Sequence, residues 1–138
     1  MALRRLVRRV TVRCPVSAET MAALLRGELQ ALERDPHVAR ILAVVRGDNP
    51  LGDFGLYRGV FEATLGIEGF MPTAGAVPTV GQAGISSLSP TVSITTYFDA
   101  GTPAAAVDAA LDALLAAHPW EIPVIELDRD PIELPLRS

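Results

Sequence analysis

The run Val7–Cys14 carries Val7, Val10 and Val12 as apolar positions and is stopped by Pro15, which predicts a first β-strand. From Ser17 the spacing becomes helical, with Met21, Leu24, Leu25, Leu29 and Leu32 recurring through about Arg34. Ser17 offers an N-cap hydroxyl, and Glu19 suits the positive end of the helix. Gly27 weakens this helix by about 1 kcal/mol relative to alanine without ending it; Asp35-Pro36 ends it. The short apolar run Val38–Arg46 has the length of a strand or of a buried helical turn, and Ile41, Val44 and Val45 favour strand. Gly47-Asp48-Asn49-Pro50 is a turn.

Tyr57–Leu65 alternates, with Tyr57, Gly59, Phe61, Ala63 and Leu65 on one face, and so predicts another strand. Gly66–Pro90 is rich in Gly, Pro and Ser, lacks sustained periodicity and reads as a long loop, a type of segment that usually serves function or an interface. Thr91–Phe98 is β-branched and aromatic, hence a strand. Thr102 caps a second helix with Pro103 at its first position. Val107, Leu111, Leu114 and Leu115 form its buried stripe, Pro119 ends it, and Val124–Leu127 is the last strand. The expected fold is therefore a single α+β domain over residues 1–138. It is a ferredoxin-like βαββαβ sandwich with an extra segment after the first helix and a long loop between the second and third strands. In that topology Pro15–Thr20, Gly66–Pro90 and His118–Pro123 converge at one end of the sheet. His37 falls at the other end, far from His118, which counts against a two-histidine metal site.

Composition sharpens this picture. Hydrophobic residues make up 49% of the chain but aromatic ones only 5%, so small aliphatic side chains must fill the core. A mean hydropathy of +0.31 leaves an apolar surplus of the kind that often ends in a subunit interface. The net charge of −4 argues against nucleic acid as a partner. Arg4, Arg5, Arg8, Arg9 and Arg13 crowd the N-terminus, whereas Glu121, Glu126, Asp128, Asp130 and Glu133 weight the C-terminus. The basic cluster is either a phosphate-binding or targeting patch, or a solvated strand edge that pairs with the acidic end. A single cysteine, Cys14, excludes an internal disulfide framework and fits a reducing compartment; beside Pro15, with no base near it in sequence, it reads as a buried, inert thiol. No apolar run approaches the roughly 18–20 residues that span a bilayer, and the N-terminus does not read as a secretory signal. Cytoplasmic residence and no membrane partner are the expectations.

Three motifs carry a resemblance. The first is Gly55, with Tyr57 and Phe61 of the alternating strand. The second is Gly69, Phe70, Pro72, Gly75, Ala76, Pro78, Gly81 and Gly84. The third is His118-Pro119-Trp120-Glu121 followed by Pro123 after the second helix. Together they resemble the PII-like trimerisation domain inserted in proteins of the NIF-three family, and more distantly CutA, loosely over residues 7–34 and well over 54–127. Trp120 stands where the family has tyrosine. Gln82 and Ile122 stand where it commonly has acidic residues, and Ser93, Thr95 and Thr96 where it has charged ones; residues 35–53 look like an insertion. The chain has no counterpart of the metal-binding part of full-length members, so neither their paired-metal chemistry nor the cyclohydrolase label attached to some carries over. What the resemblance implies is a PII-like homotrimer with a central core of sheets, and a closed ring of subunits would also cover the edges of an open four-stranded sheet.

The candidate ligand-binding residues are His118, Trp120, Glu121, Tyr57, Gly69, Phe70, Gly75 and Gly81, with no catalytic residue, no metal ligand and no cofactor expected. His118 is a general base, ligand contact or metal ligand on one reading, and a cap of the helix C-terminus on the other. Glu121 could orient His118, bind a cation, pair with Glu126, or bridge to an arginine. Trp120 suits stacking on a planar ligand or anchoring an interface. Gly69–Gly84 could cradle phosphate through its amides, but it lacks the Lys-Ser/Thr ending of a P-loop and opens no helix. The expected function is a non-catalytic module that binds a small ligand or a protein partner at an intersubunit cleft. The alternative is a small metal-handling protein or enzyme using His118 and Glu121 there. Glu68 is the one ionisable residue in Gly66–Pro90, too little for ordinary acid–base work or a hard metal cage.

Overall fold

The computed structural model describes residues 3–137. The fold is α+β, one antiparallel sheet carrying four helices. In chain order these are β1 (Leu3–Pro15), α1 (Ala18–Leu25), α2 (Ala31–Arg34), α3 (Pro36–Val45), β2 (Glu62–Phe70), β3 (Ser87–Asp99), α4 (Ala104–Ala117), β4 (Ile125–Leu127) and β5 (Ile132–Leu136). The sheet runs β2-β3-β1-β4, and β5 pairs with the other half of β1. β1 is thus central: β3 lies along one side from Val7↔Asp99 to Pro15↔Thr91, while β4 and β5 share the other.

Cross-strand partners share a face, so the register sorts the side chains. Val10, Val12 and Cys14 lie opposite Thr96, Ile94 and Val92 on the covered face, where they pack with Val38, Ile41 and Leu42 of α3 and Val107, Ala110 and Leu114 of α4. Thr11 and Arg13 lie opposite Thr95 and Ser93 on the other face, which is polar; the Thr11 and Thr95 hydroxyls are bonded at 3.0 Å.

Several sequence expectations change. Val38–Arg46 is helix, not strand: Asp35 caps it, Pro36 opens it, and Val38, Ile41, Leu42 and Val45 form one buried stripe at helical spacing. The first helix does not reach Arg34. It stops at Leu25, and Gly27, at φ +85°, turns the chain, so Leu25 and Leu29 are exposed rather than buried. Asp35 is 3% exposed; its carboxylate accepts from Ser17 N (3.1 Å), the Thr20 hydroxyl (2.7 Å) and His37 N (3.0 Å). That cluster returns the chain to the end of β1. His37 therefore sits at the same end as His118, near enough for its charge to act on that ring, contrary to the expected separation.

The second strand begins at Glu62 rather than Tyr57, because the preceding segment is held in turns by Gly55 and Gly59 at positive φ. β2 is shifted toward the C-terminus and β3 starts earlier than predicted, at Ser87, which together shorten the loop to 71–86. The α4 stripe is Val107, Ala110, Leu114 and Ala117, with Leu115 half exposed. Its N-cap is Pro103, and the Thr102 hydroxyl donates instead to Asp99 O at 2.6 Å. β5 was not predicted from its Ile-Glu-Leu-Pro-Leu alternation; it lines the Leu3–Val7 half of β1.

The charge segregation of the sequence resolves into ion pairs along β1: Arg4–Glu133 (2.8 Å), Arg5–Asp99 (3.6 Å), Arg9–Asp128 (3.4 Å) and Arg13–Glu126 (2.5 Å). Exposed pairs of this kind stabilise by at most about 1 kcal/mol each; three of them reach the C-terminal segment, and Arg5–Asp99 reaches the end of β3. No helix among the described residues is long and apolar enough to cross a membrane.

Candidate functional site

Pro119 forbids α4 from continuing, so the helix ends at Ala117 with His118 as its C-cap. The His118 backbone N–H reaches Leu114 O and Leu115 O, but its ring leaves the helix altogether. Nε2 stands 2.6 Å from Arg13 O and must donate, since a carbonyl only accepts; Nδ1 accepts Trp120 N at 3.1 Å. This fits the neutral ring alone. Burial pushes its pKa below the ordinary value; the bond to Arg13 O opposes that, and the charge of His37 adds to it. Both nitrogens are engaged, so neither is free to take a substrate proton or bind a metal.

The bond from Trp120 N to His118 aims the indole back over the sheet. Its ring lies 5.8 Å from Phe70 at 56° and 5.8 Å from His118 at 57°. The 71–86 loop then closes on the same segment: Thr79 Oγ1 donates to Pro119 O (2.8 Å), and Val77 N to Glu121 Oε1 (2.6 Å). Between them is a cavity of about 520 Å³ lined by Glu68, Phe70, Met71, Pro72, Trp120 and Ile122 among others. Glu68 and Phe70 share a face because they are two apart on β2. Glu68 Oε2 is shielded from water and has no hydrogen-bond partner. Burial raises the Glu68 pKa, against the opposing charge of Arg13.

Of the residues singled out from sequence, Phe70, Gly75, Trp120 and Glu121 line this cavity, and His118 holds Trp120 from behind. Gly69 is next to them on β2, where a side chain would press on Leu88. Gly81 lies in the loop with φ +87°, and a Cβ there would stand 2.8 Å from Ser87 Oγ and 3.2 Å from the Phe70 ring. Tyr57 is not brought to the site: it is 74% exposed in the turn segment before β2. Glu126 is bonded to Arg13 rather than to Glu121, whose carboxylate holds Val77 N instead of an arginine. Glu68 was not among the sequence candidates; the signal for it was an acidic residue two positions before an aromatic one at the mouth of a glycine-rich loop. Cys14 is fully buried, and burial, with Asp35 adding, raises its pKa to about 12. Among the described residues no three His, Cys, Asp or Glu side chains gather as a metal site.

No family model matches the chain, and no curated protein matches it. Among solved structures, the chain is similar to a Bacillus cereus protein related to NIF3. The TM-score is 0.60 and the identity 19%, over 96% of this chain but 27% of the other. The likeness is one of fold. The chain thus spans about a quarter of that protein's length.

Proposed function

We propose that the protein is a non-catalytic, trimeric module of the PII and CutA type, with a ferredoxin-like core, that binds a small ligand or a protein partner at a cleft between subunits. The observation that carries this reading is the cavity at the loop end of the sheet. It is walled by the edge strand, the 71–86 loop and the segment after α4, with Trp120 at its side. The strand order β2-β3-β1-β4, with helices in both crossovers, supports the ferredoxin-like reading. The partial likeness to the NIF3-related structure points the same way.

Trimer formation is supported by the edge. Among the described residues β2 pairs only with β3, leaving its outer side open. Leu65, Ile67 and Leu88 are 46%, 76% and 77% exposed beside it, with Leu25 exposed nearby. Unpaired edges and apolar patches of this kind are normally covered. Because Glu68 and Phe70 belong to that edge strand, a neighbour pairing with β2 would abut the cavity. Light scattering on the purified protein should return the trimer mass; a monomer would sink the assembly. A thermal-shift screen against nucleotides, common metabolites and divalent metals should then give a hit, since a ligand at 100 times its Kd adds about 2.7 kcal/mol. A flat screen would remove the small-ligand half of the reading.

A further inference from the structure

The cavity wall contains two ionisable side chains, Glu68 and Glu121, and both are acidic. Glu68 Oε2 is shut away from water and takes no hydrogen bond from the protein, so the carboxylate's charge is poorly compensated at the wall. Arg13, the base whose charge reaches Glu68, is already bonded to Glu126 and Ser93. Glu121 keeps its carboxylate at the wall through Val77 N. Phe70 and Trp120 meet at a tilt beside them, and aromatic faces attract cations. Met71, Pro72 and Ile122 supply an apolar remainder.

We propose that this cavity binds a small organic cation, an ammonium or guanidinium group on an apolar or aromatic body, with Glu68 as counter-ion and Phe70 and Trp120 as aromatic walls. The proposal deepens, and rests on, the reading of the cavity as the module's ligand site. A phosphate or carboxylate would meet two acidic side chains and no base in the wall. A hard divalent ion wants six or more oxygen ligands, whereas this wall is largely hydrocarbon. An ammonium or guanidinium group in the cavity meets the Glu68 carboxylate as an opposite charge, while the attached body fills the rest.

Trp120 is the single tryptophan, so its emission reports on this cavity directly. The full chain would be titrated with 2-phenylethylamine, its neutral isostere 2-phenylethanol and its anionic counterpart phenylacetate. Wild type, Glu68→Gln and Phe70→Leu would be compared, with circular dichroism confirming that each variant is folded. The amine should give a saturable change at least about tenfold tighter than the alcohol, and Glu68→Gln should remove about that factor, as expected for a charge-assisted bond. Phe70→Leu, which keeps the carboxylate, should weaken the amine more than the alcohol. Equal binding of amine and alcohol, or amine binding unchanged in Glu68→Gln, would overturn the cation assignment and leave the ligand-binding module standing. Preference for phenylacetate would do the same. No response to any of the three would overturn the assignment, and a flat metabolite screen as well would take the ligand site with it.

Discussion

The imidazole Nε2 of His118 is bonded to the backbone carbonyl of Arg13 at 2.6 Å, across a sequence separation of 105 residues. That bond ties the end of α4 to the central strand, and the same ring fixes the Trp120 backbone through Nδ1. Arg13 in turn sends its side chain to Glu126 and Ser93 on the polar face. One residue pair thus couples the helix layer, the sheet and the wall of the cavity.

A neutral ring in this setting makes stability pH-dependent. The unfolded imidazole titrates near 6.5, and the folded one below it. Above pH 6.5 both states are neutral and the contribution is complete. As pH falls through that value the unfolded chain takes up a proton that the native ring refuses, and stability drops by up to about 1.4 kcal/mol per pH unit. Urea denaturation at pH 7.5, 6.5 and 5.5 should show the loss. His118→Gln should be less stable by about 1–3 kcal/mol at pH 7.5, from the orphaned carbonyl, and should lack much of the slope. An equal slope in both proteins would mean that other groups carry it.

Asp35 is the corresponding knot on the other side of the cavity's end of the sheet. Asp35→Ala leaves the Ser17 amide, the Thr20 hydroxyl and the His37 amide without their acceptor and uncaps α3. The expected loss is about 2–4 kcal/mol, with Asp35→Asn intermediate because one oxygen survives. Chemical denaturation checks both. A cost under about 0.5 kcal/mol would mean that the helices hold that corner without it.

The same residue shows where sequence reading stops. Asp35-Pro36 is at once a stop for the helix before it and an N-cap with proline at N1 for the helix after it. Local chemistry does not choose between them. Only the burial of Val38, Ile41, Leu42 and Val45 against the sheet makes α3 a helix despite its β-branched residues. The convergence of Val16, Pro90 and the segment after His118 was legible, because caps and β-branched runs fix the element order and the topology does the rest. Tyr57 was misplaced because alternation persists through turns that Gly55 and Gly59 impose. Glu68 was passed over because what distinguishes it, an oxygen without a donor, exists only once Phe70, Trp120 and the loop are folded around it.

Cys14 should be inert in the native protein. With no solvent exposure and a pKa of about 12, it offers neither access nor thiolate at neutral pH. A chromogenic disulfide reagent at pH 7.5 should label it only as fast as the fold opens, and at once in denaturant. Rapid native labelling would show that the end of β1 opens locally.

The loop glycines should split. Gly81→Ala forces a side chain into positive φ, at about 1–2 kcal/mol, and drives its Cβ against Ser87 and the Phe70 ring. The emission of Trp120 should shift with Phe70. At Gly75 a Cβ would meet nothing within 4 Å, so Gly75→Ala should leave both emission and thermal midpoint unchanged. Equal effects at the two positions would mean that the loop does not hold the packing of Phe70 on Trp120.

Glu68 should display opposite effects on stability and on binding. Its folded pKa is raised above the ordinary 4.5 by burial, with Arg13 opposing. Its contribution is therefore favourable below that value and is lost as pH rises through the folded one, so that at pH 7 the ionised side chain weighs against the fold. Glu68→Gln, which keeps the shape and drops the charge, should raise the thermal midpoint of the empty protein at pH 7 and lose that advantage near pH 4. The same variant should bind 2-phenylethylamine more weakly. A partly buried carboxylate held at a cost in the ligand-free protein and needed for the ligand is what a counter-ion looks like; a variant that loses stability instead would place Glu68 in the fold's own support.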